Sequence, residues 1–276
     1  MSSSAVDMLL KGYYYGLMEM LVILLCGLGA GFFGTLVGLG GGIIMVPVLN
    51  LVFGFPIKTA VATSLCAVCA TSIGGAAKYL TRGVADFRMG LFLETTTVIG
   101  AVSGCLLAII VKPQVISIIF ALVLFYAAVS IALKKQDAEG NQDDINYNKP
   151  TLKRKLSALG LSSVVGMVSS FLGIGGGVVQ VPILHLILKL PIKVATATST
   201  YMIGITASAG SLVYFFKGFI DYKFVGPLII GTLIGSTYGA TVAGKLKSTT
   251  IKLLFIVVIV YAGLQVGLKG LGVKIL

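Results

Sequence analysis

The sequence predicts an all-α, polytopic membrane protein of two tandem repeats, each of about four helices plus a glycine-broken half-helix or re-entrant segment. Three observations predict it. Apolar residues make up 57% of the 276-residue chain and charged residues only 11%, against roughly 45–50% and about 25% in soluble domains. The mean hydropathy is +1.04, so the apolar residues fill runs long enough for hydrocarbon, where a span takes about 20 residues. Finally, the second half of the chain matches the first at a spacing of 135 residues, without a gap.

The elements follow in order. An N-terminal segment, 1–16, precedes the run Leu17–Val37, which ends on Gly38-Leu-Gly-Gly-Gly42. That run is longer than the apolar core of a secretory signal and no cleavage site is evident before it, so it is expected to remain a span. The short stretch Ile43–Phe53 leads to Gly54-Phe-Pro56, and Thr59–Leu80, Met89–Val111 and Val115–Leu133 complete repeat 1 (17–133). Residues 134–155 carry both charge signs with Gly, Asn and a Pro and read as a polar linker. Repeat 2 (156–276) then runs Leu156–Leu172, Gly173-Ile-Gly-Gly-Gly177, Val178–Leu190, Val194–Phe216, Phe224–Leu246 and Ile251–Val273.

The register between halves is fixed by residues that helix composition alone would not repeat. Val46-Pro47 falls on Val181-Pro182, and Ala62-Thr-Ser64 on Ala197-Thr-Ser199. Tyr79, Gly83 and Asp86 fall on Tyr214, Gly218 and Asp221. Duplicated transporters commonly hold their substrate between the repeats, about a pseudo-two-fold axis.

The net charge is +12. The basic residues sit at the ends of apolar runs, as at Lys112, Lys134, Lys135, Lys153, Arg154, Lys155, Lys245 and Lys247. There they set topology and meet anionic headgroups, so the lipid bilayer is the expected partner and nucleic acid is not. The linker is expected on the cytoplasmic side of a bacterial-type inner membrane. A homodimer is compatible with the sequence. One histidine cannot make a His-rich metal site, and no Walker lysine follows the glycines; no cofactor, metal or enzymatic activity is expected.

The motif G-x-G-G-G-x-x-x-V-P occurs twice. Three consecutive glycines hold a helix poorly, each costing about 1 kcal/mol relative to Ala. In a bilayer, freed backbone groups are tolerated only against protein or a water-filled cavity. The segment after each break is too short to cross the membrane. Its N-terminus exposes unpaired N–H groups at the positive end of the helix dipole, which attracts anions. Gly40, Gly41, Gly42 and Ile43, with Gly175, Gly176, Gly177 and Val178, are therefore candidate ligands for a small anion. The other reading is that these glycines serve close packing, as expected of Gly34, Gly38, Gly100 and Gly104. Pro47 and Pro182 fit the first turns of such a segment, where a missing N–H costs little.

The second motif, P-I-K-x-A-x-A-T-S, puts Thr63 and Ser64, and Thr198 and Ser199, one to two turns inside a helix. Their hydroxyls can donate to an oxyanion or turn back to their own helix carbonyls. Lys58 and Lys193 read as interfacial anchors or as attractors of anions. Where the repeats differ, Asn50 stands opposite His185 and Met45 opposite Gln180. Polar residues at membrane depth are candidate site residues, so Asn50, Gln180 and His185 join the set. Glu94, whose counterpart is Ile229, is expected to pair with Lys78 or to sit at the membrane interface; the alternative is that it carries a proton. The four cysteines lie in apolar runs and read as small hydrophobes; Cys66 and Cys69 leave open a thiol-dependent sulfur relay.

GLGGGIIMVPVL, LGIGGGVVQVPIL and the two P-I-K-x-A-x-A-T-S stretches resemble the sulfite exporter TauE/SafE family, over roughly residues 20–270. The resemblance implies a secondary transporter, an exporter of a small sulfur oxyanion such as sulfite or an organosulfonate, working by alternating access between two repeats. An anion channel is the alternative form of the same expectation.

Overall fold

The computed structural model describes residues 3–133, 151–242 and 249–272. Most of the expected linker, and Lys134, Lys135, Lys245 and Lys247, lie outside the described residues. Within them the chain is all helical. Helix α1 spans Ser3–Val37, and α2, Gly42–Pro47, runs on as a wider π-helical turn over Val48–Val52. Then come α3 (Ile57–Thr81), α4 (Phe87–Ile110) and α5 (Pro113–Leu133). The second half gives α6 (Leu152–Leu172), α7 (Gly177–Pro182) with its π-helical continuation Ile183–Ile187, α8 (Ile192–Phe216), α9 (Tyr222–Val242) and α10 (Thr249–Gly270). The bounds of α2, both π turns and α3 recur 135 residues later.

Six helices (α1, α3, α4, α5, α6 and α9) are long and apolar enough to cross a membrane, which makes this a multi-pass membrane protein. Helix α6 begins at Leu152, so Lys153, Arg154 and Lys155 form its first turn. The half-helices end about where the sequence suggests, but the prolines sit deeper than their first turn. Pro47 and Pro182 are each the sixth residue of their helix. At that depth the absent N–H leaves a carbonyl one turn back unpaired. Beyond each proline the helix widens to i→i+5 bonding, as in Phe53 N–H to the Val48 carbonyl at 3.3 Å.

The halves are interleaved rather than set side by side. Helix α1 packs on α9 and α6 on α4, each pairing a first helix with the fourth helix of the other half; α3 lies against α8, and α5 against α10. Small residues let these backbones close up, since lipid tails offer no hydrophobic drive for helices to associate. A Cβ at Gly100 or Gly104 would strike the carbonyls of Ser163 or Met167, and one at Gly235 or Gly239 those of Leu28 or Phe32. Among the six spans α3 is the most enclosed, with 72% of its apolar window buried against 33–44% in the other five.

Candidate functional site

Both glycine breaks lie at the centre of the molecule, buried from Gly38 to Gly42 and from Gly173 to Gly177. The breaks are left-handed turns that other residues adopt only at a cost: φ is +75° at Gly38, +71° at Gly40, +72° at Gly173, +89° at Gly175 and +83° at Gly176. Gly38 is thus a turn residue, not simply the packing glycine the sequence suggests. Gly34 does pack, its Cα face lying against the backbone of Gly41.

The two loops cross. The Cα of Gly42 faces the Gly173 carbonyl, and that of Gly177 faces the Gly38 carbonyl and the Leu39 Cα. A Cβ at Gly40 would lie 3.3 Å from Ile203 and 3.5 Å from Val68; one at Gly175 would lie 2.9 Å and 2.6 Å from the same two side chains. Val68 and Ile203 are counterparts, as are Gly40 and Gly175, so these four residues surround the local axis between the halves. Close packing of loop on loop therefore accounts for Gly42 and Gly177. Neither half-helix has a side-chain N-cap. The N–H groups of Gly40 to Ile43, and of Gly175 to Val178, have no acceptor among the described residues, as expected for unpaired helix starts.

The serine of each Thr-Ser pair meets these loops across the interface, and the threonine meets the start of the opposite half's fourth helix. Ser64 Oγ lies 2.7 Å from the Gly173 carbonyl and 3.0 Å from that of Val61, and Ser199 Oγ lies 3.3 Å from the Gly38 carbonyl and 3.1 Å from that of Thr196. Thr198 Oγ1 accepts the Asp86 N–H at 2.9 Å, and Thr63 Oγ1 the Asp221 N–H at 3.5 Å. These hydroxyls thus reach the backbone of the opposite half. Asp86 in turn caps α4 by accepting the Met89 N–H at 3.0 Å. The sequence showed Asp86 and Asp221 as shared residues but not as partners of the threonines.

Asn50 and His185 take one job in two chemistries. Asn50 Nδ2 donates to the Phe55 carbonyl at 2.7 Å, and His185 Nδ1 lies 2.8 Å from the Leu190 carbonyl. A carbonyl can only accept, so Nδ1 carries the proton. Each side chain closes the turn after its half-helix, away from the glycine break. Gln180 is 2% exposed and its amide donates to the Met202 sulfur at 3.4 Å. Lys58 is tied to the last turn of α4, donating to the Ile109 carbonyl at 2.5 Å.

Glu94 does not pair with Lys78. It is 3% exposed, and both its oxygens lie near Thr206 Oγ1, at 3.1 and 3.0 Å. Lys78 is exposed near the end of α3, an easy place to solvate an ammonium. The ion pair found among the described residues is Lys223 with Glu19 at 3.0 Å. Sequence reading also missed a set of buried hydroxyls without partners among the described residues: Ser162, Ser169 and Ser170 on α6, Thr35 on α1 and Tyr201 on α8. Serines inside a span are a weak signal, because they more often bond back to their own helix. Cys66 and Cys69 are free, and Cys66 bonds its own helix carbonyl at Ala62.

Residues 23–266 match the family described as sulfite exporter TauE/SafE. The chain is 26% identical to the probable membrane transporter protein YunE of Bacillus subtilis over 92% of this chain and 99% of that one. It is 28% identical to YdhB of the same organism, also a probable membrane transporter protein, over 88% and 97%. A TauE/SafE family protein 3 of Arabidopsis thaliana, named a sulfite exporter, is 25% identical over 50% of this chain and 29% of its own. No solved structure matches the chain. The chain belongs to the sulfite exporter TauE/SafE family and is a membrane transporter.

Proposed function

We infer that the protein is a secondary transporter, an exporter of a small sulfur oxyanion such as sulfite or an organosulfonate, in the inner membrane. The observation that carries the anion is the pair of buried helix starts, each with N–H groups lacking an acceptor among the described residues, on either side of Val68 and Ile203; the sulfur oxyanion and its export are inferred from the family. Unpaired N–H groups and the dipole's positive end favour an anion without requiring a fixed cation. Gly40 to Ile43 and Gly175 to Val178 supply these donors. Ser64 and Ser199 hold the loops that carry them, Thr63 and Thr198 hold the starts of α9 and α4, and Gln180 stands in the second half-helix itself. Val68 and Ile203 form an apolar barrier between the breaks. Alternating access comes from the halves moving about that contact, which frees the breaks to opposite sides in turn.

The test is flux in proteoliposomes with sulfite, sulfate, thiosulfate and sulfoacetate. Saturable exchange of a sulfur oxyanion supports the reading; Gly41→Leu or Gly176→Leu in folded protein should abolish it. Non-saturating flux well above transporter turnover would make the protein an anion channel. Replacing all four cysteines by Ala or Ser should leave flux unchanged; lost flux in folded protein would favour the thiol relay.

A further inference from the structure

The surroundings of the second glycine break differ from those of the first in one charged group. Glu94 projects from α4, a membrane-spanning helix, into the interior of the second half, where its partner is the Thr206 hydroxyl. Its counterpart is Ile229. The comparison extends to the partner. Thr71, the counterpart of Thr206, turns its hydroxyl onto its own helix at the Ala67 carbonyl, 2.9 Å away. Thr206 instead turns to the carboxyl group. The same residue at the same place has been recruited by Glu94.

The location is close to the break. Thr206 lies three residues beyond Ile203, on the same face of α8 and about 4.5 Å along the axis. Ile203 lies 2.9 Å from where Gly175 would carry a Cβ and 2.8 Å from that position at Gly177. Other polar groups appear in this half where the first half has none. Gln180, Tyr201, Ser162 and Ser169 replace Met45, Cys66, Gly27 and Gly34, and Ser169 Oγ stands 3.1 Å from where Gly176 would carry a Cβ.

Among the described residues no cation is bonded to the Glu94 carboxyl. Helix α4 is packed by α6 and α8. On α8 the titratable groups are Tyr201, stacked on Phe87 at 5.1 Å, Tyr214, whose hydroxyl donates to the Ser170 carbonyl at 3.3 Å, and Lys193 at the exposed helix start. On α6 they are Lys153, Arg154 and Lys155 in the exposed first turn. On α4 itself Asp86 and Arg88 lie at the N-terminal end and Cys105 lies about three turns beyond Glu94, bonded to the Gly210 carbonyl, while His185 of the second π turn is bonded to Leu190. None of these is bonded to Glu94. A threonine hydroxyl both donates and accepts, so the Glu94–Thr206 contact survives whether the carboxyl is ionised or neutral.

Resting on the anion-transport reading above, we propose that Glu94, held by Thr206, binds a proton that travels with the anion. An anion at the second break and an ionised Glu94 repel across a water-poor interior. Anion binding and proton uptake at Glu94 therefore favour each other, and by linkage the effect is reciprocal. Carriage of a monoanion becomes electroneutral. Direction follows the combined gradients of anion and proton, so export requires the anion's own gradient to exceed the opposing proton gradient.

The experiment uses the full chain in proteoliposomes, with labelled methanesulfonate and thiosulfate as probes because neither changes charge over the neutral range. In the wild type, outside acid should drive accumulation at least about tenfold above the level with equal pH. Glu94→Gln, fixed neutral, should keep anion exchange between equal concentrations and lose the response to the proton gradient. Intact exchange with no response to pH in the wild type overturns the proposal. So does a Glu94→Gln protein that still accumulates with acid, or a wild type driven by a sodium gradient instead. Absence of exchange for either probe, sulfite and sulfoacetate would instead sink the transport reading, and this proposal with it. If Glu94→Gln does not fold, proton release or uptake by the wild type decides. About one proton should be taken up per thiosulfate bound in weakly buffered detergent solution, and none taken up overturns the proposal.

Discussion

The two glycine breaks are alike in backbone, save at Gly41 and Gly176, and unlike in surroundings. Both follow a first helix, both turn through left-handed glycines, and both lead into six helical residues ending on proline and then a π turn. Each loop receives a serine of the opposite half, and each π turn is closed by its own Asn50 or His185. The first break is otherwise set among Gly34, Met45, Cys66 and Ile229; the second has Ser169, Gln180, Tyr201 and Glu94 in those places. Positions shared by the halves thus hold the backbone, whereas the unshared ones change the polarity around it. A symmetric scaffold can carry an asymmetric site because the serine and glycine contacts are made to main-chain atoms, which are the same in both halves.

The sharpest way to break this comparison is to load the crossing itself. Gly42→Ala and Gly177→Ala each push a methyl group into the opposite loop's carbonyl, and each should cost about 3 kcal/mol, within the range for overpacking a filled core. Thermal unfolding in detergent should show similar losses for both, and one tolerated substitution would end the equivalence of the loops. Ser64→Ala comes next. It strands the buried Gly173 carbonyl, at about 1–3 kcal/mol. Ser199→Ala should cost less, because its bond to Gly38 is longer, 3.3 Å against 2.7 Å; the reverse order of melting temperatures would contradict this.

Position 41 against 176 sharpens the contrast further. Gly41 has φ −62°, so alanine suits its backbone, whereas Gly176 is left-handed at +83°. Gly176→Ala should lose about 1–2 kcal/mol more than Gly41→Ala, read as the difference between their unfolding midpoints. The smallest effect is expected for His185→Asn, which places in the second half the side chain that already closes the first. A change beyond about 0.5 kcal/mol, or altered anion flux, would show that the imidazole does more than cap a turn.

Much of the fold was legible because its signals are local. Runs such as Met89–Val111 and Val115–Leu133 lie within two residues of helices Phe87–Ile110 and Pro113–Leu133. The breaks were legible because left-handed φ values at Gly38 and Gly173 need glycine. The candidate site was less legible. Thr63, Ser64, Thr198 and Ser199 stood out as paired hydroxyls, but their partners lie more than 100 residues away. Lys78 and Glu94 looked like partners by charge alone, yet Thr206 on another helix takes the carboxyl. Ser162 and Ser169 were passed over because isolated serines in an apolar run have ordinary local uses.

The sequence by itself determined that this chain enters the membrane, where its helices run and where two of them must break, because hydrophobicity and glycine's backbone freedom act within a few residues. Only the tertiary structure decided that the first helix of each half packs on the fourth of the other, that the broken loops cross at Val68 and Ile203, and that Glu94 meets Thr206. Those outcomes depend on which backbones can approach one another. That is settled by three-dimensional packing between residues that chain order leaves far apart.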